Sequence, residues 1–134
     1  MEDIVKLYKN FSKYKNNTYE ELYYHIHPSI INNQYKTFKD ELGTYAFVNW
    51  AFLNNTVENH YKTTGRLYKH QWQSGKNVWL YDIIIIRKAK TVMKWVYNYF
   101  KDYLNVNESI NWIRLDNNDN IYRVAKKYKR EFHI

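Results

Sequence analysis

Residues 77–104 read NVWLYDIIIIRKAKTVMKWVYNYFKDYL, and two periodicities meet inside them. The first ten are β-branched, aromatic and aliphatic, the composition of a strand buried for most of its length. Past Arg87, Val92, Val96, Tyr99, Phe100 and Tyr103 share one face of a helix, with lysines on the other. A further strand pattern, SINWIRLD, follows at 109–116. Strand, long helix and strand in that order imply an α/β sandwich around one mixed sheet. One residue is out of place. Asp82 sits within the aliphatic run, where a carboxylate costs a large desolvation unless it is hydrogen-bonded or paired. A neighbouring Arg, Lys, Trp indole or backbone amide would satisfy it. Equally, a buried acid suits the orientation and charging of a histidine base, or proton transfer itself. The residues alone leave both readings open.

Upstream, Ile4, Leu7, Tyr8 and Phe11 are spaced as one stripe of an amphipathic helix, which NNT (16–18) interrupts. Thr18 and Glu21 form a capping-box signature for a second helix. That helix is expected to stop near His27, because Pro28 disfavours helical geometry in the residue before it. NNQYKTFKDELGTYAFVNWAF (32–52) reads as strand, turn and strand, with DELG (40–43) as the turn. LNNTVENHYKTTGR (53–66) predicts a short helix capped at Asn54 or Asn55 and closed by Gly65. At the other end SINWIRLD, the turn NNDN (117–120) and IYRVAKKYKREF (121–132) predict a hairpin.

A chain of 134 residues has the length of one domain. Hydrophobic residues make up 45%, with 15 Tyr, 6 Phe and 5 Trp against 3 Gly and 1 Pro, enough for a packed core. The absence of cysteine excludes a disulfide scaffold, a thiolate nucleophile and a cysteine metal site. MEDIVKLYKNF (1–11) lacks a long apolar run, so no signal peptide is evident, and a cytoplasmic location is expected. The net charge of +8, part of it in YRVAKKYKREFH (122–133), favours an acidic partner: nucleic acid, an anionic membrane surface or an acidic carrier protein. No phosphate loop, nucleophile elbow or spaced carboxylate pair is present. His25 and His27 diverge by about half a helical turn, which argues against a shared metal, and no metal site is expected.

Four segments, in order, carry a resemblance. HPSIINNQYKTF (27–38) is similar to a Pro-x-Ile segment leading into an Asn-Gln-Tyr strand, and AFVNWAFLNNTVENHY (46–61) to a Ser/Asn-Trp-Ala-x-Leu segment followed by a short helix. QWQSGKNVWLYDII (71–84) resembles an Asp-Trp-x-Ser-Gly…Trp-x-Ile-Asp block, and WIRLD (112–116) a later Arg-Val-Asp strand. Together they resemble the toxin-activating lysine-acyltransferases that mature RTX protoxins. The resemblance implies a single GNAT-like domain over residues 1–134, with a mixed, mostly antiparallel sheet flanked by helices and a divergent helical N-terminus over 1–27. It also implies acyl transfer from acyl carrier protein to a lysine amine, with no bound cofactor and an acyl-carrier-linked group or other activated donor as co-substrate.

By position Asp82 corresponds to the family's catalytic aspartate. The family's histidine projects without gaps onto Tyr14, and no histidine precedes His25, which leaves His25 or His27 as the base. After Asp82 the family's Pro-Phe-Gly is replaced by IIIIRKAK (83–90), and the chain stops short of the family's C-terminal extension. Trp79, Tyr81 and Arg87 are candidates for substrate binding, with strand packing the competing role for Trp79 and Tyr81. Short members of the family accompany peptide bacteriocins (microcins), to which they help attach a siderophore-type group with a second protein. The expected partners are therefore a toxin precursor, acyl carrier protein, and a homodimer mate or second maturation protein, with transient contact at the inner-membrane surface and no nucleic acid. A non-catalytic partner subunit is the competing class; a basic nucleic-acid-binding module, its aromatic tail stacking on bases, is the third.

Overall fold

A computed structural model describes residues 1–115 and 120–132, apart from the side chain of Tyr122. Its elements are α1 (Glu2–Tyr8), α2 (Tyr19–Ile31), β1 (Tyr35–Asp40), β2 (Gly43–Leu53), α3 (Asn55–Thr64), β3 (Asn77–Ile85), α4 (Ala89–Lys101), β4 (Ser109–Leu115) and β5 (Ile121–Tyr128), with short 3-10 turns at Lys69–Gln71 and Lys129–Glu131. The strands form one sheet in chain order, β1 to β5. Every pairing is antiparallel except β3 with β4, the pair that α4 joins. The chain is a single α/β domain with a mixed sheet, as the strand–helix–strand pattern implies. Most of the NNDN turn lies outside the described residues.

Helices cover both faces. Val92, Val96 and Phe100 of α4 pack on Val48, Trp50, Val78 and Leu80. Tyr99 and Tyr103, read on the same stripe, stand at its rim, about half exposed, where they meet Trp50 and Phe52. On the opposite face Ile4, Leu7, Tyr8, Leu22 and Ile26 of α1 and α2 pack on Phe47 and Ile84, and Tyr61 of α3 packs beside Ala51, Trp72 and Trp79.

The local signals are realised as read, with two corrections. The first helix does not run on to NNT: α1 ends at Tyr8, and Phe11 and Tyr14 follow in tight turns, their amides bonding the carbonyls of Tyr8 and Phe11. Thr18 and Glu21 close the capping box on α2. Asn54 accepts from the Val57 amide to start α3, and Gly65 ends it at φ 69°. The α2 helix does not stop near His27; it runs through Pro28 to Ile31. Tyr24, whose carbonyl would have bonded residue 28, is 73% exposed, whereas Ile26 and Ser29 are fully buried. Burial of one helix face outweighs the local proline penalty, which a solvent-facing carbonyl keeps small.

The connection from α3 to β3 is pinned to β2. The Phe52 amide donates to the Trp72 carbonyl and the Gly75 amide to the Phe52 carbonyl, while the Asn54 amide donates to Ser74 Oγ. The Gln34 carboxamide bonds the carbonyls of Trp50 and Trp72. A Cβ on Gly75 would press into the backbone of Leu53 and Asn54, which have no flexible end to yield. Gly75→Ala is expected to destabilise the protein by about 2 kcal/mol or more, read as a thermal-melt decrease of order 5–10 °C. An unchanged melt would refute this close approach.

Candidate active site

The site begins with an irregularity in β3. Asn49 pairs with Asp82, but its neighbour Trp50 pairs with Leu80, so Tyr81 is an extra residue. This β-bulge reverses the alternation. Val78 and Leu80 face α4, as do Ile83 and Ile85, while Tyr81 and Asp82 face α1–α3 together with Trp79 and Ile84. A regular strand would aim Asp82 into the α4 core with Leu80. The bulge instead delivers it to Tyr8 at the C-terminal end of α1 and His25 midway along α2, a recurrent use of bulges.

Three donors meet the carboxylate there. Tyr8 Oη donates to Oδ2 at 2.6 Å, and Tyr14 Oη to Oδ1 at 3.2 Å. His25 Nε2 lies 2.7 Å from Oδ2. The Asp82 amide donates to Asn49 Oδ1 at 2.8 Å. Asn49 Nδ2 bonds Ser29 Oγ, which donates to the Ile26 carbonyl. That chain ties α2, and with it His25, to the bulge. Bonds to a charged group contribute roughly 1.5–3 kcal/mol each, so three of them match the several kcal/mol that burying one carboxylate costs.

Burial by itself raises the Asp82 pKa. The charge and hydrogen bond of His25, the Tyr8 hydroxyl and the charge of Lys13 outweigh it and hold the carboxyl below its usual range. Burial, and then the charge of Asp82, push the phenols of Tyr8 and Tyr14 upward, so both remain donors. The His25 imidazole is boxed by Tyr8, Tyr14 and Tyr81, with ring centroids 5.9, 5.5 and 5.4 Å away. In the neutral tautomer that gives Nε2–H to the carboxylate, the lone pair lies on Nδ1, for which no hydrogen-bond partner is found among the described residues.

Two openings meet at His25 and Tyr81. A cavity of about 140 Å³ holds Asp82, Lys13, Tyr61 and Tyr14 against Ile113 and Leu115. It lies where β3 and β4 part, since those strands pair only at Val78–Ile110 and Trp79–Asn111. A larger cleft of about 640 Å³ opens between α2 and the Leu67–Trp72 segment.

The candidates named from sequence are thus distributed unevenly. Asp82, His25 and Tyr81 come together. His27 lines the larger cleft and stacks on Tyr23 at 5.0 Å. Trp79 is buried under α3, its indole donating to Glu58 at 2.9 Å, and lines neither opening. The structure does not bring Arg87 to Asp82. Arg87 lies two residues beyond the end of β3, where it forks onto Asp40 at 2.7 and 3.1 Å. Tyr8 and Tyr14 are missed by sequence reasoning because helix-spaced aromatics read as core. Tyr14 carried one signal: the family histidine projects onto it. Among the described residues no cluster of three or more potential metal ligands occurs, and no helix is long and apolar enough to cross a membrane.

The profile of the RTX toxin acyltransferase family (HlyC) matches residues 1–129. This chain belongs to the RTX toxin acyltransferase family. Over 81 residues it is 35% identical to the leukotoxin-activating lysine-acyltransferase LktC, serotype A1, of Mannheimia haemolytica, a match covering 60% of this chain and 48% of that protein. The chain thus spans about half the length of the curated relative it matches. For a member of this family the placement of Tyr14 is informative. Tyr14, onto which an ungapped projection places the family histidine, reaches Asp82 through its hydroxyl, while the imidazole comes from α2.

Replacing Tyr8 by Phe removes the 2.6 Å donor and is expected to cost about 2 kcal/mol in denaturant unfolding; Tyr14→Phe should cost less, its bond being 3.2 Å. Equal costs would contradict that ranking. The lowered pKa of Asp82 carries a pH signature. A carboxyl whose folded pKa lies below the unfolded value, about 3.9, adds stability above that pH and loses it as acid protonates the site. The melting-temperature advantage of wild type over Asp82→Asn should therefore shrink from pH 7 to pH 3. A constant gap would refute a charged, partnered Asp82.

Proposed function

We propose that this chain transfers an acyl group from an activated donor to an amine or hydroxyl of a bacterial toxin precursor, with His25 as general base and Asp82 as its orienting anion. The observation that carries this reading is the 2.7 Å contact between His25 Nε2 and the buried Asp82 carboxylate. Asp82 fixes the tautomer and stabilises the imidazolium that forms. For a thioester donor and a lysine acceptor, the amine arrives unprotonated and attacks the acyl carbon. The C–N bond forms, the C–S bond breaks, and Nδ1 takes the amine proton and passes it to the leaving thiolate. Tyr8 and Tyr14 are positioning residues that hold the carboxylate ionised. Tyr81, standing beside His25 at both openings, is the substrate-binding candidate the geometry supports best.

Family membership and the leukotoxin-activating relative support a protein toxin as the acceptor's source. The net charge of +8 suits an acidic carrier protein as donor, and the edge strands β1 and β5 offer surfaces for a homodimer or a second maturation protein. In the narrower form of the proposal the acceptor is a peptide bacteriocin, the group is of siderophore type, and the reaction takes place in the cytoplasm. Adduct mass separates these branches. Co-expression with candidate precursors, followed by intact-mass measurement, should show an adduct lost by about 100-fold or more in His25→Ala and Asp82→Asn and reduced far less in His27→Ala, which leaves the base in place. An adduct surviving His25→Ala, His27→Ala and Asp82→Ala together would refute catalysis here and leave a non-catalytic partner subunit as the reading.

A further inference from the structure

The cleft on the α2 side of His25 has a lining of unusual composition. Tyr23, Tyr24 and His27 form one wall, Tyr68 and Lys69 the other, and Trp72 with Tyr81 the floor. Leu67 and Pro28 are its aliphatic members, and no carboxylate, carboxamide or aliphatic hydroxyl is among the lining residues. The isoleucines in which this chain is rich lie elsewhere. A long alkyl chain is bound by dry aliphatic walls, whereas these walls are rings with hydroxyl and ring-nitrogen edges. Sugars also stack on rings, but they draw on carboxylates and carboxamides for their hydroxyls, and none is present. What this lining offers is stackable faces and hydrogen-bond donors: phenol hydroxyls, ring N–H groups and the Lys69 ammonium.

A second observation points the same way. Trp72 is 1% exposed, and its Nε1–H is buried without an acceptor among the described residues. A buried donor left unmatched costs free energy, which an acceptor atom recovers if the lining rings shift to admit it to this enclosed N–H. The ring walls are also held ready: Tyr23 stacks on His27 at 5.0 Å and on Tyr19 at 6.4 Å, and Tyr68 stacks on His60 at 6.0 Å.

The geometry points to this cleft as the donor subsite for an aromatic acyl group whose edge carries acceptor oxygens, its carbonyl end presented to His25. The inference rests on the transfer reading above and names the class of group transferred. With the Lys69 ammonium in its lining and no acid there to offset it, the cleft disfavours a cationic lysine acceptor. The acceptor then enters through the opening beside Asp82, where β3 and β4 separate.

The test is binding of salicylate and of decanoate to the full chain, followed by NMR at the Trp72 indole N–H. Both probes are monocarboxylates; one carries a ring and the other an alkyl chain. Salicylate is expected to saturate one site, to move the Trp72 resonance, and to weaken about tenfold in Tyr68→Ala and Tyr24→Ala. Those two side chains are 50% and 73% exposed, so the fold tolerates their loss. Decanoate should leave the resonance in place. The assignment is overturned if salicylate does not saturate, if both variants bind it as wild type does, or if decanoate moves Trp72 with equal affinity. Binding needs no turnover. A salicylate site in a chain that forms no adduct would therefore refute the transfer reading alone, and an adduct without such a site would refute the cleft assignment alone.

Discussion

The charge on Asp82 is the constraint to which the rest of the molecule answers. A carboxylate deep in a sheet is tolerated only where several donors converge on it. The donors here come from α1 (Tyr8), the α1–α2 connection (Tyr14) and α2 (His25). Asn49, on the neighbouring strand, takes the amide that the bulge leaves without a ladder partner. One side chain thereby sets the seating of the whole N-terminal layer. Stability and chemistry are coupled in consequence: the bonds that offset the charge are those that orient the imidazole.

Much of the scaffold was legible because it is written in local signals. The capping box at Thr18 and Glu21, the Asn54 and Gly65 caps, and the change of periodicity at Arg87 each act within a few residues. The segments that carried the family resemblance also have physical counterparts. Gln34 ties β2 to the Trp72 loop, Asn49 secures the bulge, and Gly75 permits close backbone approach. What stayed hidden depended on pairing. Alternation within β3 gives no sign that Tyr81 is supernumerary, since the bulge exists only relative to β2. Tyr8 and Tyr14 look like core residues until Asp82 is opposite them. Pro28 reads as a stop because its penalty is local, whereas the burial that offsets it is not.

The ring of donors around Asp82 draws two side-chain types from three segments. The carboxylate specifies a ring of donors around itself more tightly than it specifies which segment supplies each one. A phenol in one place and an imidazole on the adjacent helix meet the same electrostatic demand. An imidazole, unlike a phenol, has a second ring nitrogen that can accept a proton, and this one stands beside both openings.

The four isoleucines that follow Asp82 have a role beyond filling space. An extra residue in a strand inverts the facing of everything after it, and in a mixed sequence it would turn polar groups inward and apolar groups outward. A homopolymeric stretch reads identically in either phase. A slip of one residue among Ile83–Ile86 exchanges like for like and costs the core little. The aim of Asp82 is therefore fixed not by these residues but by its pairing with Asn49 and the bond from its amide to the Asn49 side chain.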